Sequence, residues 1–328
     1  MQGGHHQRVP HFLFAEGPTR ILVPVGISFY TSQTMSYTIA IYRRKLAPAR
    51  NLLEFAFFVT FFPQLVAGPI VRAIDFLYQL DLKPSLTREQ LHAGLYRFAT
   101  GLAKKVLVAD VLGRYLVDPI YAAPGQYSPL AHALCLYGFM LQIYYDFSGY
   151  SDCAIGSARL LGFHLLENFD GPYRSRSVRE FWRRWHISLS TWVRDYIFFP
   201  LGGSRGISEL KIARNLLVTM VTIGIWHGAS ALWVIYGLLN AGAMILERWL
   251  ERLRGGRPFA TSLATSAVAW ALTFHFVVLS CVFIRAPSLA RVADMFHSFG
   301  PERAGDLQPY GPVAMAAGAP GRFQPLGP

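Results

Sequence analysis

The sequence is poor in charged residues and in cysteine. Only 15% of its 328 residues are Asp, Glu, Lys or Arg, whereas 52% are hydrophobic and 14% are aromatic. Soluble domains carry about 25% charged residues, so this composition argues against a soluble two-domain protein and favours one with several membrane spans. The three cysteines, Cys135, Cys153 and Cys281, are scattered and odd in number. They indicate neither a disulfide framework nor a metal site, and we expect them to be packing residues.

Acidic residues are the scarcer charge type, with 19 Asp and Glu against 31 Lys and Arg and a formal net charge of +12. In a soluble protein this excess would suggest nucleic-acid binding through phosphate contacts. Here the basic residues lie between apolar runs, a pattern typical of membrane proteins with Lys- and Arg-rich cytoplasmic loops. We therefore expect membrane lipids and no nucleic acid among the partners. The basic clusters are Arg43 to Arg50, Arg174 to Arg214 and Arg248 to Arg257.

Runs without Asp, Glu, Lys or Arg mark the candidate membrane spans. A helix needs about 20 apolar residues to cross the hydrocarbon core, so four or five of the runs qualify. They are Ile21 to Tyr42, Phe55 to Val71, Pro119 to Tyr145, Leu216 to Leu246 and Pro258 to Ile284.

Two segments depart from a straight span. Pro63, Gly68 and Pro69 interrupt the second run, which favours a broken or re-entrant helix. The segment from Leu91 to Leu116 is amphipathic, so we expect it to lie along the interface or to pack obliquely.

The fold class predicted from these patterns is all-α, a polytopic transmembrane helical bundle with broken or re-entrant helices. Residues 1–20 form a polar N-terminal segment, residues 21–298 form the membrane domain, and the Gly- and Pro-rich tail 299–328 is expected to be disordered. Within the domain, residues 146–215 become charged but keep many aromatics. This composition predicts a polar insert at the membrane interface.

The insert contains a strongly patterned stretch from Arg179 to Phe199. At 100° per residue, its tryptophans share one face with His186, whereas Arg183, Arg184 and Arg194 take the other. Ser175 and Ser177 are capping candidates before it, and Pro200 follows it. The pattern predicts one amphipathic helix over 179–199, with His186 facing inward.

The run from Leu216 to Leu246 carries His227 about a third of the way along. An unbroken helix over this run would be about 46 Å long, against a hydrocarbon core of about 30 Å. Two shapes are open: one tilted span, or two shorter pieces that return to the side where they began. Basic residues at both ends favour the second shape, with His227 near the break at the base of a cavity.

A polar imidazole at membrane depth costs free energy unless it faces protein or a water-filled cavity, and such residues usually mark a substrate path. Gly224, Gly228, Ala229 and Ser230 surround His227 with small side chains, which suits tight helix packing and also substrate access. Burial away from charge disfavours the cation, so we expect a neutral ring able to take a proton from a hydroxyl.

The other candidates carry weaker signals. His186 is a second candidate catalytic residue, although interfacial aromatic helices often carry an unremarkable histidine. His132 and His275 lie in apolar runs without flanking small and polar residues. No H-x-x-x-H pattern occurs, so we expect no metal.

Four aspartates could orient a histidine as carboxylate partners. We interpret Asp146, Asp152 and Asp170 as helix caps, because Asp before small residues commonly caps or turns a helix. Asp195 is left open between the two interpretations.

Several segments together resemble the membrane-bound O-acyltransferase (MBOAT) superfamily and, within it, the membrane subunits of bacterial alginate O-acetyltransferases. The resemblance covers about residues 21–292 in order, which is more specific than any single motif. The matching segments are Val23 to Tyr30, Phe61 to Ile70, Asp146 to Asp152, Arg183 to Ser190, Tyr196 to Gly203 and Ile225 to Ala229.

The resemblance implies a helical bundle around a central funnel in the inner membrane, where a cytosolic thioester meets an external acceptor. His227 matches the family's catalytic histidine, and His186 matches a second position occupied by histidine or asparagine. The implied donor is acetyl-CoA or a related acyl thioester, with no tightly bound cofactor. The implied acceptor is a hydroxyl of an exported polysaccharide such as alginate, reached through a periplasmic or extracellular acyltransferase partner.

Family members usually have further apolar helices before Ile21 and after Pro287, so we expect this chain to be shorter at both ends. A truncated, non-catalytic scaffold that docks a periplasmic acetyltransferase is therefore one alternative. A transporter or channel is another, because broken helices and intramembrane polar residues also line solute paths. That alternative predicts paired inverted segments, which the sequence does not show.

Overall fold

A computed structural model describes residues 26–65, 67–82, 86–257 and 262–299 of the chain. Regular structure in these ranges is helical, and the extended pairing within them is an isolated antiparallel bridge between Phe169 and Trp185. The all-α prediction is confirmed. The N-terminal segment 1–20 and the tail from residue 300 lie outside the described residues.

The α-helices in chain order are α1 (Ile27–Tyr42), α2 (Leu52–Thr60), α3 (Phe62–Leu65), α4 (Ala73–Phe76), α5 (Tyr78–Asp81), α6 (Arg88–Ala103), α7 (Asp110–Leu112), α8 (Asp118–Ala122), α9 (Pro129–Leu160), α10 (Val178–Arg184), α11 (Ile187–Val193), α12 (Glu209–His227), α13 (Ala231–Leu253), α14 (Leu263–Ser280), α15 (Val282–Arg285) and α16 (Leu289–His297). Wider π-helical turns occupy Lys104–Ala109, Gly113–Val117 and Arg194–Phe198.

The amphipathic segment predicted around Leu91 to Leu116 packs against α9. The path from α6 to α8 runs antiparallel to α9, and their backbones nearly touch where glycines meet. A Cβ on Gly101 would lie 2.5 Å from the carbonyl oxygen of Gly149. Contact this close requires glycine on at least one side, and it explains why the segment combines small and apolar residues.

The course of α9 shows that the interpretation of two aspartates as helix caps is wrong. It continues through Asp146 and Asp152, so neither residue caps a helix. Asp152 is buried and accepts hydrogen bonds from Arg97 Nε at 2.6 Å and Lys104 Nζ at 2.5 Å, while Asp146 pairs with Lys105 at 2.7 Å. The aspartates therefore join α9 to the helical path beside it, and the change of composition at residue 146 is not a break in structure.

The uncharged run 216–246 folds as a helical hairpin of α12 and α13. The helices are antiparallel: a Cβ on Gly237 would lie 2.5 Å from the carbonyl oxygen of Met220, and Glu209 pairs with Arg248 at 2.7 Å. Of the two shapes open from the sequence, the two-piece shape is the one formed. The basic residues flanking the run consequently lie together at the open end of the hairpin.

The predicted single helix over 179–199 is wrong, because the chain breaks at His186. The segment instead forms α10 and α11, with the bridge between Trp185 and Phe169 at the junction. The inward face is nonetheless as expected, since Trp182 and Trp192 are buried together with His186. Hydrophobic periodicity reports which side chains are buried, and it does not detect one residue with a different backbone conformation.

Three features of the described helices bear on how the chain would contact a membrane. The run from Phe55 to Val71 is broken between α2 and α3, as predicted. Among the described residues, Leu263–Arg285 is the one helical stretch long and apolar enough to cross a bilayer. Large apolar side chains such as Leu107 and Leu272 point outward, and an apolar exterior of this kind suits contact with lipid.

Candidate active site

His227 is the last residue of α12 and lies at the closed end of the hairpin. At 1.5 Å per residue, it stands about 20 Å along the helix from Arg214. Its half-buried ring stacks on the indole of Trp233 with centroids 4.9 Å apart and planes 14° apart. Trp226 meets the ring edge-on, also at 4.9 Å. Aromatic contacts on two sides therefore restrict the orientation of the imidazole.

His186 has a left-handed backbone, with φ 44° and ψ 54°. This conformation costs a residue with a side chain about 1–2 kcal/mol, so its surroundings must hold it. Asn168 does so: its carbonyl oxygen accepts from Ile187 N at 3.0 Å, and its side-chain oxygen accepts from Ser188 Oγ at 2.7 Å. The break between α10 and α11 is thus fixed by hydrogen bonds, and it directs the His186 ring into the core.

The two histidines singled out from the sequence lie together in the fold. Their ring centroids are 6.1 Å apart. Phe147 contacts the His186 ring edge-on at 4.6 Å, and Trp226 lies 5.8 Å from the same ring. The pair is therefore enclosed by aromatic side chains from α9 and α12.

The nitrogens of His186 set it apart from an ordinary core histidine. The residue is 1% exposed, yet neither Nδ1 nor Nε2 has a hydrogen-bond partner in the described protein. Buried polar atoms are nearly always paired, and leaving one unpaired costs about 1–3 kcal/mol. Both nitrogens are thus available to a hydroxyl, a carbonyl or water.

Ser32 on α1 links the segments that carry the histidines. Its hydroxyl accepts a hydrogen bond from Trp226 Nε1 at 3.0 Å, and its carbonyl oxygen accepts one from Trp192 Nε1 at 2.9 Å. One buried residue therefore holds α11 and α12 in register. Since Trp226 precedes His227, this link helps to set the distance between the two imidazoles.

Comparison with known protein families gives a match to MBOAT, the membrane-bound O-acyltransferase family, over residues 43–285. The chain belongs to this family. The matched region contains both histidines of the site, whereas α1 lies before it.

Individual MBOAT relatives are also similar to this chain. The probable alginate O-acetylase AlgI of Pseudomonas aeruginosa is 41% identical over 88% of the chain and 54% of its own length. The peptidoglycan O-acetyltransferase of Helicobacter pylori is 34% identical over 82% and 55%, and the teichoic acid D-alanyltransferase of Bacillus subtilis is 28% identical over 79% and 68%. The chain spans about half the length of the first two relatives.

The weaker histidine candidates of this MBOAT chain lie elsewhere. His132 Nδ1 is 3.0 Å from the carbonyl oxygen of Ser128 in the turn before it. His275 is exposed and makes the equivalent contact to Ala271 at 2.7 Å. The Nδ1 atom of each residue therefore lies near a carbonyl oxygen of its own helix, while Nε2 of the buried His132 has no hydrogen-bond partner in the described protein.

The aspartates do not orient the histidines either. Asp195 pairs with Arg72 at 2.8 Å and with Arg194 at 2.7 Å, and Asp170 pairs with Arg184 at 3.1 Å. The cap interpretation of Asp170 is therefore replaced by an ion pair. Among the described residues, none of the ion pairs joins a carboxylate to either histidine of the site.

Sequence reasoning missed the contributions of α1. Gln33 is fully buried, and both polar atoms of its side-chain amide lack partners in the described protein. It follows Phe29 by one helical turn, and the Phe29 ring lies 6.4 Å from that of His186. Ser32 and Gln33 are polar residues within an apolar run. The criterion that selected His227 would have selected them too.

Proposed function

We propose that this MBOAT chain transfers acyl groups within the membrane and that His227 and His186 form its reaction centre. The observation that carries the proposal is the approach of the two rings to 6.1 Å, with both nitrogens of the buried His186 unpaired. An imidazole with a free nitrogen can accept the proton of a hydroxyl, and a second one can hold the acyl carbonyl or a water.

The proposed step uses a thioester donor, acetyl-CoA or a related acyl thioester. The neutral His227 ring takes the acceptor's hydroxyl proton as the oxygen attacks the thioester carbonyl, and His186 positions the acyl group. The new C–O bond forms, the C–S bond breaks, and the imidazolium returns its proton to the departing thiolate. Because the thioester is already activated, the reaction requires neither a serine nucleophile nor a tightly bound cofactor.

The acceptor we propose is a hydroxyl of an exported polysaccharide such as alginate, reached through a periplasmic or extracellular acyltransferase partner. Relatives named as an alginate O-acetylase and a peptidoglycan O-acetyltransferase support a cell-surface polymer as acceptor. Family membership also supports a polytopic bundle of the inner membrane, with the histidines in a central funnel. The chain matches part of its relatives, so these assignments are proposals for the protein as a whole.

Replacement of His227 by alanine tests the proposal in the native host. The loss of a general base should lower polymer acylation about 100- to 10,000-fold, measured as alkali-released acetate per unit of exported polymer. His275→Ala is the matched control, because it removes an exposed histidine from another apolar helix. Equal amounts of each variant in the membrane must be confirmed by immunoblot. Acetylation by His227→Ala at the level of the control would show that the assigned role is wrong.

A further inference from the structure

Gln33 on α1 carries a buried amide whose polar atoms have no partner among the described residues. The side chain is fully buried, and neither Nε2 nor Oε1 makes a hydrogen bond there. Gln79 shows the ordinary arrangement: it is also buried, but its Nε2 donates to the His164 carbonyl at 3.0 Å and its Oε1 accepts from His164 N at 2.8 Å. An unpaired buried amide costs stability, and groups that do so are typical of functional sites.

The face of α1 that carries Gln33 is turned toward the histidine pair. Gln33 follows Phe29 by four residues, and the Phe29 ring lies 6.4 Å from that of His186 and 5.0 Å from that of Trp226. Residues four apart in a helix share a face, one turn of about 5.4 Å from each other. Helical side chains also tilt toward the helix N-terminus. The Gln33 amide is therefore directed back toward Phe29 and the His186 ring.

The depth of Gln33 is fixed by its neighbour Ser32. The Ser32 hydroxyl accepts from Trp226 Nε1 at 3.0 Å, and the Ser32 carbonyl accepts from Trp192 Nε1 at 2.9 Å. These indoles belong to α12 and α11, the two helices at whose ends the histidines lie. Hydrogen bonds to both histidine-bearing segments thus hold Gln33 at the level of the site.

An amide supplies chemistry that the two imidazoles and the aromatic rings around them do not. When a hydroxyl attacks a thioester, the carbonyl oxygen gains negative charge, and a neutral N–H held in place stabilises that charge. Side chains of Asn and Gln are common donors of this kind. The Trp226 N–H beside the rings is already donated to Ser32. The amide of Gln33 has N–H groups without an acceptor in the described protein.

We propose that Gln33 donates a hydrogen bond from Nε2 to the carbonyl oxygen of the acyl thioester and stabilises the negative charge that develops there during transfer. The proposal rests on the acyl-transfer function above and adds a third residue to the reaction centre. Proton transfer, formation of the C–O bond and breakage of the C–S bond proceed as described there. The amide itself gains and loses no proton, and it shares with His186 the task of holding the acyl group.

The variant Gln33→Met tests the proposal, because methionine keeps the length of the side chain and removes both unpaired polar atoms. Their removal should leave the unfolding temperature unchanged or raise it. The loss of one donor to the developing charge should lower kcat about 100- to 1,000-fold, with little change in KM. The rate is measured in membranes of the native host as label transferred from radiolabelled acetyl-CoA to the exported polymer, and unfolding is measured on the full chain in detergent.

Gln79→Met is the matched control, since it removes an equally buried amide that is paired. Its backbone partners at His164 would lose their hydrogen bonds, so it should unfold at a lower temperature with unchanged kcat per folded molecule. An unchanged kcat in Gln33→Met would overturn the proposal. So would a lower unfolding temperature like that of the control, which would indicate a structural amide. A higher KM for the acceptor with unchanged kcat would assign the amide to the acceptor, and the proposal would also fail.

A spectroscopic readout separates this proposal from the function on which it rests. Infrared spectra of acetyl-CoA labelled with carbon-13 at its carbonyl, bound to the His227→Ala chain, report the carbonyl stretch without turnover. A hydrogen bond from the amide lowers the frequency of this stretch, so adding Gln33→Met should raise it. Equal frequencies in the two variants would overturn the assignment of Gln33 alone. If neither variant bound the thioester, the proposed acyl transfer would be overturned together with it.

Discussion

The backbone contact at Gly224 leads to a sharp prediction for Gly224→Ala. An added Cβ would lie 3.0 Å from the carbonyl carbon of Trp233 and still closer to its oxygen, whereas ordinary contacts begin at 3.4 Å. Because the obstacle is backbone, it cannot turn aside as a side chain would. We expect α12 and α13 to separate by about 1 Å, at a cost of about 1–3 kcal/mol in the free energy of unfolding.

This separation would act on the site directly, because His227 lies three residues farther along α12 and stacks on Trp233. A displacement of about 1 Å between reacting groups can lower a rate about 100-fold. We therefore expect Gly224→Ala to lose about two orders of magnitude in acyl transfer per folded molecule, a loss larger than its effect on folding.

The assay is the initial rate of transfer from radiolabelled acetyl-CoA, normalised to folded protein, together with thermal unfolding in the same detergent. Gly242→Ala is the matched control on α13, since nothing lies within 4 Å of the added Cβ and alanine favours a helix over glycine by about 1 kcal/mol. The control should unfold at the same or a higher temperature with unchanged activity. If Gly224→Ala matched this control in both measurements, the link between hairpin packing and the histidine would be refuted.

Two further predictions concern stability. At His186, glycine avoids the cost of a left-handed backbone, about 1–2 kcal/mol, but the greater flexibility of its unfolded chain lowers the stability by about 0.4–1 kcal/mol. The Tm of His186→Gly should therefore be about 2 °C above that of His186→Ala. An equal or higher Tm for the alanine variant would show that the backbone at His186 is not strained. Asp152→Ala removes the carboxylate that Arg97 and Lys104 share, and it should lower the free energy of unfolding by about 2–3 kcal/mol. This loss is smaller than that for a fully buried ion pair, because both cationic side chains are 27% exposed. Thermal unfolding measures this loss, and an unchanged Tm would show that the ion pairs add nothing.

Much of the candidate site could be predicted from the sequence. His227 could be selected because a polar ring within an uncharged run costs free energy unless it has a role. The run is also longer than one membrane span, which allowed a shape of two helices with a break near His227. The choice between the two shapes depended on packing, since the contact of Gly237 with the Met220 carbonyl is a property of two helices together. Composition alone does not contain that contact.

The errors share one physical origin, which is that local patterns describe side chains better than backbone and long-range pairing. The hydrophobic periodicity over 179–199 predicted the buried face correctly. It did not predict the left-handed backbone of His186, because that conformation depends on hydrogen bonds to Asn168 in another segment. Asp146 and Asp152 looked like caps because small residues follow them. Their partners lie in a helical segment 41 to 55 residues earlier in the chain, which no local rule could supply.

The dependence of the site on Ser32 also affects how the protein can be divided. The family match begins at residue 43, so a fragment cut at that boundary would lack α1 and the acceptors for two indole N–H groups. Each stranded donor would cost about 1–3 kcal/mol. A deletion series cut at the limits of the family match would then lose activity because the helices around the histidines lose their packing. Minimal fragments should therefore start upstream of residue 27.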